Sequence, residues 1–266
     1  MSALHDIFDT HAHYDDERFD GDRDDLLASL PEQGVCGVVN AASDLATARR
    51  SIALAERFPF VWAAAGIHPH EAANAPAGWE DELRALLEHP RAVALGEIGL
   101  DYHYDFSPRE TQLALFERQL RLAKERDVPV VIHDREAHED TLRLLKEFRP
   151  RGVVHRFSGS VEMAEEILKL GMYIGLGGAV TFKNARKPVE VAAMVPADRL
   201  VLETDAPYMT PVPFRGQRCH SGMIAFTAEK IAEARCGTAQ AVVNAARQNA
   251  CRLYGIPESA LTTAEE

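Results

Sequence analysis

Two histidines separated by a single residue, His11 and His13, follow a short apolar run near the start of the chain. Side chains two residues apart on a β-strand point to the same face, so a strand here would present both imidazoles together. Paired imidazoles are typical ligands of zinc and related divalent metals. A polar strand end also contains such pairs, so this one indicates a metal site only if further ligands lie beside it.

Further candidate ligands follow later apolar runs. They are Glu97, His133, His155 and Asp205. Each alone has an ordinary explanation, because a buried histidine is usually a hydrogen-bonded core residue and a carboxylate usually faces solvent. With His11 and His13 they supply four imidazoles and two carboxylates. This set suffices to hold two metal ions that share one carboxylate, as in two-metal hydrolases.

The elements that must position these groups follow from an alternation of short apolar runs with longer amphipathic runs. Eight apolar runs are short enough to be buried parallel strands. They lie near Asp6–Thr10, Val35–Asn40, Phe60–Gly66, Ala92–Gly96, Val128–His133, Gly152–His155, Met172–Gly177 and Arg199–Glu203. The amphipathic runs between them predict helices, and a last helix is expected at about residues 238–254. This order predicts an α/β protein with one domain over residues 1–266, a (β/α)8 TIM barrel.

In a barrel of this kind, the C-terminal ends of the strands meet at one mouth, where active sites are built. The six candidate ligands would therefore converge. The alternative is a doubly wound open sheet, which usually carries a glycine-rich phosphate loop after its first strand. Here the first strand ends in His11-Ala12-His13 without a G-x-G-x-x-G pattern, so the barrel is favoured.

Three residues predict helix boundaries. Asp44 and Ser107 each precede a helical run and are predicted N-terminal caps, with Pro108 at the first helical position after Ser107. Gly171 follows a helical run and is a predicted C-terminal stop.

Composition and charge exclude several classes of protein. The chain has 266 residues, is 46% hydrophobic and carries a net charge of -12. Its longest apolar stretch, Phe58 to Ile67, falls far short of the ~20 residues that span a bilayer. A disordered protein, a membrane protein and a protein that coats nucleic acid electrostatically are therefore disfavoured.

The cysteines and the N-terminus indicate a reducing compartment. No two of the four cysteines have C-x-x-C spacing, so we expect free thiols. The first residues form neither a basic nor an apolar leader segment, which predicts a cytoplasmic protein. No segment suggests an obligate protein partner, and a monomer is expected.

With these residues assembled, the sequence resembles the TatD-like metal-dependent hydrolases of the amidohydrolase superfamily. The resemblance runs from Phe8 to about Tyr254. It rests on the segments Asp9–His13, Gly66–His70, Gly96–Tyr102, His133–Arg135, His155–Gly159 and Glu203–Tyr208, with Arg215-Gly216 and Asn249. The set is much more specific than any one motif.

The resemblance implies a metal-dependent deoxyribonuclease. His11, His13, Glu97 and Asp205 would surround one divalent metal ion, and Glu97, His133 and His155 would surround a second. The ions would be magnesium, manganese or zinc. The expected substrate is DNA, cut at phosphodiester bonds from a free end and preferably in single strands.

The same interpretation, a metal-dependent deoxyribonuclease, assigns roles at the bond that is cleaved. Asp205 would take the proton of the attacking water, and Glu97 would bridge the metals. His68 would touch the scissile phosphate or protonate the leaving group. Arg215 and Lys183 are predicted to bind substrate phosphates, although a solvated charged face explains them equally well.

Two departures from the family pattern affect the rim. Arg156 stands where the family usually has cysteine after the sixth-strand histidine, and residues 218–221 depart from its usual Arg-Asn-Glu-Pro. Both leave the ligands intact but put nearby substrate contacts in doubt.

Two sets of residues keep alternative interpretations. Asp9 either orients an imidazole from behind or is a buried polar group of the strand. The aromatic residues of the fourth loop either stack on bases or fill space over the rim; they are Tyr102, His103, Tyr104 and Phe106.

The residues alone also allow other functions. The same ligand set suits hydrolysis of a small amide, lactone or phosphoester. Related enzymes of that kind often carry a carboxylated lysine on the fourth strand, whereas residues 91–105 contain Glu97 and no lysine. A non-catalytic barrel is disfavoured because all six candidate ligands are present.

Overall fold

The computed structural model describes residues 4–261. Eight parallel strands form one sheet in which each strand pairs with the next along the chain. They are β1 (Ile7–Ala12), β2 (Val35–Ala41), β3 (Val61–Ala65), β4 (Ala92–Asp101), β5 (Val130–Arg135), β6 (Gly152–Val154), β7 (Tyr173–Leu176) and β8 (Leu200–Leu202). The predicted single-domain (β/α)8 barrel is confirmed. The predicted domain range of 1–266 extends beyond the described residues at both ends.

Helices connect consecutive strands. They are α1 (Arg23–Ser29), α2 (Leu45–Arg57), α3 (Trp79–Leu86), α4 (Arg109–Arg126), α5 (His138–Phe148), α6 (Val161–Lys169), α7 (Arg186–Met194) and α8 (Ile224–Arg235), with α9 (Ala239–Tyr254) after the last unit. None of the helices within residues 4–261 is both long enough and apolar enough to cross a membrane.

The barrel closes just beyond the end of β8. Ala12 and Ala206 form a parallel bridge. The backbone N–H of Asp205 donates to the carbonyl of His11 at 2.9 Å, and the N–H of His13 donates to the carbonyl of Ala206 at 2.7 Å. These bonds join the segments that carry three candidate ligands. Closure of the barrel therefore brings His11, His13 and Asp205 together.

β4 is longer than the sequence predicted. We expected it to end at Gly96, but it continues to Asp101 and pairs there with Arg135 of β5. Gly99 has φ 141°, and a Cβ atom at this position would lie 2.0 Å from the carbonyl oxygen of His133. Only glycine permits this close approach. The prediction was wrong because the apolar run ends at Gly96, whereas the strand continues through Glu97 and the close approach at Gly99 to Asp101.

Two of the three predicted helix boundaries are confirmed. The Asp44 side chain accepts the N–H of Thr47 at 2.7 Å, and the Thr47 hydroxyl accepts the N–H of Asp44 at 2.7 Å, which is a capping box. Gly171 has φ 80° and follows α6 directly after Leu170.

The predicted cap at Ser107 is wrong. Its hydroxyl donates to the carbonyl of His70 at 2.8 Å and accepts the N–H of Ala73 at 3.0 Å. These bonds tie the loop after β4 to the loop after β3. Helix α4 begins at Arg109 after Pro108, without a side-chain cap.

A packed apolar layer lies beneath the mouth. Val131 shares a strand face with His133 and belongs to a buried cluster that also contains Tyr254 at the end of α9. The Tyr254 hydroxyl donates to the carbonyl of Thr10 at 3.0 Å. The last helix therefore supports the strands that carry the candidate ligands.

Candidate metal centre

A cavity of about 1190 Å³ opens at the C-terminal ends of the strands. Five of the six predicted ligands line it, namely His13, Glu97, His133, His155 and Asp205, as does His68. His11 lies beneath them and is 0% exposed. The structure therefore brings all seven of these side chains to one place.

Glu97 lies at the centre of this group. Its Oε1 is 2.7 Å from Nδ1 of His133 and 2.9 Å from Nε2 of His155. Its Oε2 is 3.2 Å from Nε2 of His11 and 3.5 Å from Nε2 of His13. The two oxygens of one carboxylate thus face two separate pairs of imidazoles.

Asp205 completes the side that faces Oε2. Its Oδ1 is 3.4 Å from Nε2 of His13 and 3.8 Å from Nε2 of His11. Asp205 has φ 65°, in the left-handed region that aspartate tolerates better than most residues. Its other oxygen, Oδ2, lies 3.4 Å from Nη1 of Arg156.

The donor set fits divalent metal ions. Two ligand atoms at about 2.1 Å from one ion are about 3.0 Å apart at a right angle and about 3.4 Å apart at the tetrahedral angle. The Nε2 atoms of His11 and His13 are 3.1 Å apart, and the distances to Asp205 and Glu97 fall close to the same range. Two imidazole nitrogens at this distance must have either a hydrogen-bonding proton or a metal ion between them.

Hydrogen bonds behind the imidazoles direct the free nitrogens toward the centre. Nδ1 of His13 donates to the carbonyl of Ala41 at 2.8 Å, which leaves Nε2 as the ligand atom. Nε2 of His133 donates to Oδ2 of Asp101 at 3.0 Å, which leaves Nδ1 as the ligand atom. Such partners fix the tautomer and the orientation of a metal ligand.

His68 has the opposite arrangement. Its Nδ1 accepts the N–H of His70 at 3.1 Å, so the proton of the neutral ring lies on Nε2. That nitrogen is 3.6 Å from Oε1 of Glu97. Burial lowers the pKa of His68 well below its ordinary value, so the ring is neutral near pH 7. This geometry suits a hydrogen-bond donor aimed into the cavity rather than a metal ligand.

The protonation states of the centre differ from residue to residue. Burial alone would raise the pKa of Glu97, but the histidines around its oxygens, His155 and His11 among them, hold it well below its ordinary range. Burial lowers the pKa of His155 to about 4, helped by the charge of His11. His155 is therefore neutral near pH 7, and its Nε2 carries a lone pair toward Glu97.

Two further histidines hold protons instead. Burial would lower the pKa of His13, but its hydrogen bond to Asp205 and the charge of Glu97 raise it to about 10. Burial would also lower the pKa of His133, but hydrogen bonds to Asp101 and Glu97 raise it to about 9. In the metal-free protein these protons supply the positive charge that the carboxylates require.

Sequence reasoning missed Asp101 as a member of the site. Its carboxylate is 1% exposed, and its Oδ2 contacts Nε2 of His133 at 3.0 Å and Nε2 of His70 at 2.9 Å. The signal was present, since residues 97, 99 and 101 share one face of a strand. We ended the strand at Gly96 and therefore did not apply this alternation.

Glu203 is a second residue that we did not place in the site. It is 1% exposed, accepts the N–H of Arg156, and lies 3.8 Å from Nδ1 of His155 through Oε1. Burial raises its pKa well above the ordinary range. Its Oε2 and Nδ1 of His155 have no hydrogen-bond partner among the described residues.

Asp9 contacts backbone and hydroxyl groups. It accepts the N–H of His11 at 3.1 Å, the hydroxyl of Thr204 at 2.6 Å and the hydroxyl of Ser221 at 2.7 Å. These bonds make Asp9 a buried polar anchor of the strand, which was one of our two interpretations. It holds the His11 backbone against the segment that carries Asp205.

Comparisons with known proteins agree with this geometry. A model of the family described as TatD related DNase matches residues 8–255. The chain belongs to the TatD family.

Relatives of this TatD-family chain cover most of its length. It is 41% identical over 253 residues to the Bacillus subtilis protein named uncharacterized metal-dependent hydrolase YabD. The matched region covers 94% of this chain and 99% of that relative. It is 40% identical over 215 residues to the Cronobacter turicensis protein named 3'-5' ssDNA/RNA exonuclease TatD, with 77% and 80% covered. The crystal structure of the TatD homolog YjjV from Escherichia coli K12 superposes with a TM-score of 0.89 at 36% identity, over 95% of this chain and 99% of that one. The protein is accordingly a metal-dependent hydrolase.

The two predicted phosphate contacts of this TatD-family chain, Arg215 and Lys183, differ in position from Arg156, the residue that departs from the family pattern. Arg156 lines the cavity, whereas Arg215 and Lys183 are not among its lining residues. The Arg215 guanidinium lies 3.9 Å from the ring centre of Phe182 and donates to the carbonyl of Thr210 at 3.0 Å. The structure therefore does not bring Arg215 and Lys183 to the metal centre.

The aromatic residues of the fourth loop divide between our two interpretations. The Tyr102 hydroxyl donates to Asp140 at 2.8 Å beneath the guanidinium of Arg109, so this ring fills space. Tyr104 and Phe106 line the cavity instead and are 48% and 67% exposed.

Proposed function

We propose that this TatD-family protein is a divalent-metal-dependent exonuclease that hydrolyses phosphodiester bonds at the ends of single-stranded DNA. The observation that carries the proposal is the position of Glu97, whose two oxygens face two separate pairs of imidazoles. A carboxylate so placed is suited to bridge two metal ions. Nucleic acid as the substrate is supported by the Cronobacter turicensis relative, which is named a 3'-5' ssDNA/RNA exonuclease, and that name suggests attack at the 3' end.

Two sets of residues would hold the metals. His11, His13, Asp205 and Oε2 of Glu97 form one set, and Oε1 of Glu97, His133 and His155 form the other. When bound, the ions would lower the pKa of a water molecule and neutralise charge on the phosphoryl oxygens.

The chain's own residues perform the remaining tasks. Oδ1 of Asp205 faces the histidines, while Oδ2 faces Arg156 and the cavity, where it can accept a proton from water. The protonated Nε2 of neutral His68 can donate a hydrogen bond to a phosphoryl oxygen. Because its lowered pKa leaves the ring neutral near pH 7, His68 holds no imidazolium proton to give the leaving group, so hydrogen bonding is the role we favour.

The charges around the cavity explain why metal would be required for substrate binding as well as for chemistry. Carboxylates line the rim, among them Asp15, Asp16, Glu17, Glu71 and Glu136. They repel a polyanion unless positive charge lies at the centre. Arg156 supplies part of that charge. A contact of Arg215 or Lys183 with a more distant phosphate stays a prediction, as do the monomeric state and the cytoplasmic location.

The test uses single-stranded oligonucleotides labelled at either the 5' or the 3' end. Metal-stripped protein is incubated with magnesium, manganese or zinc, and Glu97→Gln is the matched variant that keeps the size of the side chain. We expect metal-dependent shortening from one end that Glu97→Gln abolishes, with slower cleavage of the duplex.

Two results would contradict the proposal. Cleavage that survives in Glu97→Gln would come from another site or a contaminant. No cleavage with any metal, although the protein binds metal, would move the function to a small amide, lactone or phosphoester, which a substrate panel would identify.

A further inference from the structure

Two aromatic rings stand exposed on the loop between β4 and α4. Tyr104 and Phe106 are 48% and 67% exposed, more than any other large hydrophobic side chain within residues 4–261. Their rings are nearly parallel, at 13°, with centroids 5.2 Å apart. The two rings stack on each other and form one contiguous exposed aromatic group, and contiguous exposed apolar groups often mark a binding site.

Neighbouring groups hold these rings in place. The Arg135 guanidinium lies 4.5 Å from the ring centre of Tyr104, and the edge of His70 contacts both rings at centroid distances of 5.6 and 4.8 Å. The backbone N–H of Tyr104 donates to Oδ1 of Asp101 at 2.9 Å. The rings are thus fixed in an exposed orientation, so a ligand that stacks on them need not order them first.

The ring pair lies next to the metal centre. Tyr104 and Phe106 both line the cavity. The ring of His70, which contacts Phe106, lies 6.2 Å from the ring of the candidate ligand His133. Asp101 joins the two histidines through a single oxygen. A nucleotide beside the reacting phosphate would therefore have the rings within reach.

We propose that Tyr104 and Phe106 form a stacking platform for an unpaired nucleobase of the substrate, close to the scissile phosphate. The proposal rests on the proposed function and deepens it by naming the part of the substrate that is recognised. The charges around the cavity favour a base over other occupants. Carboxylates at the rim, such as Glu136 and Glu71, repel phosphates, whereas a nucleobase is uncharged and every base has a face that stacks on an aromatic ring.

The platform also gives a physical reason for acting on single strands. A base that is paired and stacked in a duplex has no free face, so it reaches the rings only after unstacking. Arg135, which lies against Tyr104 and lines the cavity, would offset part of the repulsion between the rim carboxylates and the phosphate attached to the stacked base.

The experiment combines removal of the rings with removal of the base. The variant Tyr104→Ala/Phe106→Ala and the unmutated protein are assayed on single-stranded oligonucleotides that carry one abasic residue at the first, second or third position from the cleaved end. For the unmutated protein, we expect one of these positions to raise KM about tenfold. The double variant should raise KM about tenfold on the intact strand and show no further loss at that position.

Two additional variants separate stacking from a general effect of the loop. Phe106→Trp keeps a stacking face and should retain a KM near that of the unmutated protein. Tyr208→Ala removes another ring that lines the cavity, 40% exposed and covered by Arg18, and should keep the full abasic penalty. Thermal unfolding of each variant should be close to that of the unmutated protein, because the substituted rings are exposed.

The outcomes distinguish this proposal from the proposed function. If both proteins cleave DNA and show the same abasic penalty, the platform is overturned and the exonuclease function stands. If the unmutated protein cleaves no nucleic acid, the function fails, and binding of a fluorescein-labelled single strand to the metal-loaded protein decides the platform. Weaker binding by the double variant, and weaker binding of the abasic strand, support the platform. Equal binding by the double variant and the unmutated protein, or no binding at all, overturns it.

Discussion

Asp101 and His133 are joined on the side of the imidazole that faces away from Glu97. Oδ2 of Asp101 lies 3.0 Å from Nε2 of His133, while Nδ1 of the same ring lies 2.7 Å from Glu97. Oδ1 of Asp101 accepts the backbone N–H groups of His103 at 3.0 Å and Tyr104 at 2.9 Å. One buried carboxylate thus orients a candidate metal ligand and also fixes the loop that carries the exposed rings.

Replacing Asp101 by asparagine should weaken the metal centre. A carboxylate accepts at both oxygens, whereas the amide nitrogen of asparagine would face either the histidine nitrogens or the backbone N–H groups. We expect metal affinity or activity to fall about 10- to 100-fold. Metal titration by calorimetry and the nuclease assay measure both quantities.

The matched control for this substitution is Asp127→Asn. Asp127 has a side chain that is 98% exposed and precedes β5 at the opposite end of the barrel. It should leave metal affinity and activity unchanged. Equal metal affinity in the two variants would show that Asp101 has no part in orienting His133.

Metal binding should release protons. The raised pKa values of His13, about 10, and of His133, about 9, mean that the metal-free protein holds protons on both rings at neutral pH. A metal ion must displace them, so we expect about two protons released at pH 7.5 and a metal affinity that rises with pH up to about 10. Calorimetry in buffers of different ionisation enthalpy counts the protons. A binding heat that does not depend on the buffer would contradict this prediction.

The same two histidines should affect the stability of the metal-free protein. A pKa raised on folding stabilises the folded state fully below the ordinary value of about 6.5, and the stabilisation disappears as pH rises through the folded value. The free energy of unfolding of metal-stripped protein should therefore fall between about pH 6.5 and 10. His89→Gln, a substitution of a histidine paired with exposed Glu56, should leave that dependence unchanged, and His133→Gln should reduce it.

The sequence predicted the barrel because its signals are local. Each strand is a short apolar run, and caps such as Asp44 act within one turn of a helix. It also predicted which candidate ligands lie together, since the C-terminal ends of barrel strands share one mouth. Closure between the segments after β1 and β8 then brings Asp205 to His11 without any further signal.

The parts that could not be predicted depend on contacts distant in sequence. Ser107 has the residue type of a cap, but its hydroxyl bonds His70 of another loop. The sequence also does not indicate the partners of Arg156 and Arg215. Arg156 lines the cavity, whereas Arg215 packs on Phe182. The half-buried position of Tyr102 likewise depends on a residue distant in sequence, since its hydroxyl donates to Asp140 on α5.

The capping box at the start of α2 should make a measurable contribution to stability. Asp44→Ala removes the acceptor for the Thr47 N–H, and we expect the free energy of unfolding to fall by about 1 kcal/mol. Urea denaturation of metal-loaded protein measures it. Ser160→Ala removes a longer cap bond, 3.4 Å to the N–H of Met163, and should cost less. A larger loss at Ser160 than at Asp44 would show that the box contributes little.

Arg156 should contribute to substrate binding. Its guanidinium lines the cavity, lies 3.4 Å from Oδ2 of Asp205, and is a positive charge at a rim rich in carboxylates. A hydrogen bond to a charged group contributes about 1.5–3 kcal/mol, so we expect Arg156→Gln to raise KM for a single-stranded oligonucleotide at least about tenfold.

The matched control is Arg118→Gln, which removes the same charge from a pair with Glu80 on the outer helices and should leave KM unchanged. The KM effect should shrink as salt is added, because a lost charge contact is screened. A fall in kcat with no change in KM would contradict phosphate binding and would instead assign Arg156 to the orientation of Asp205.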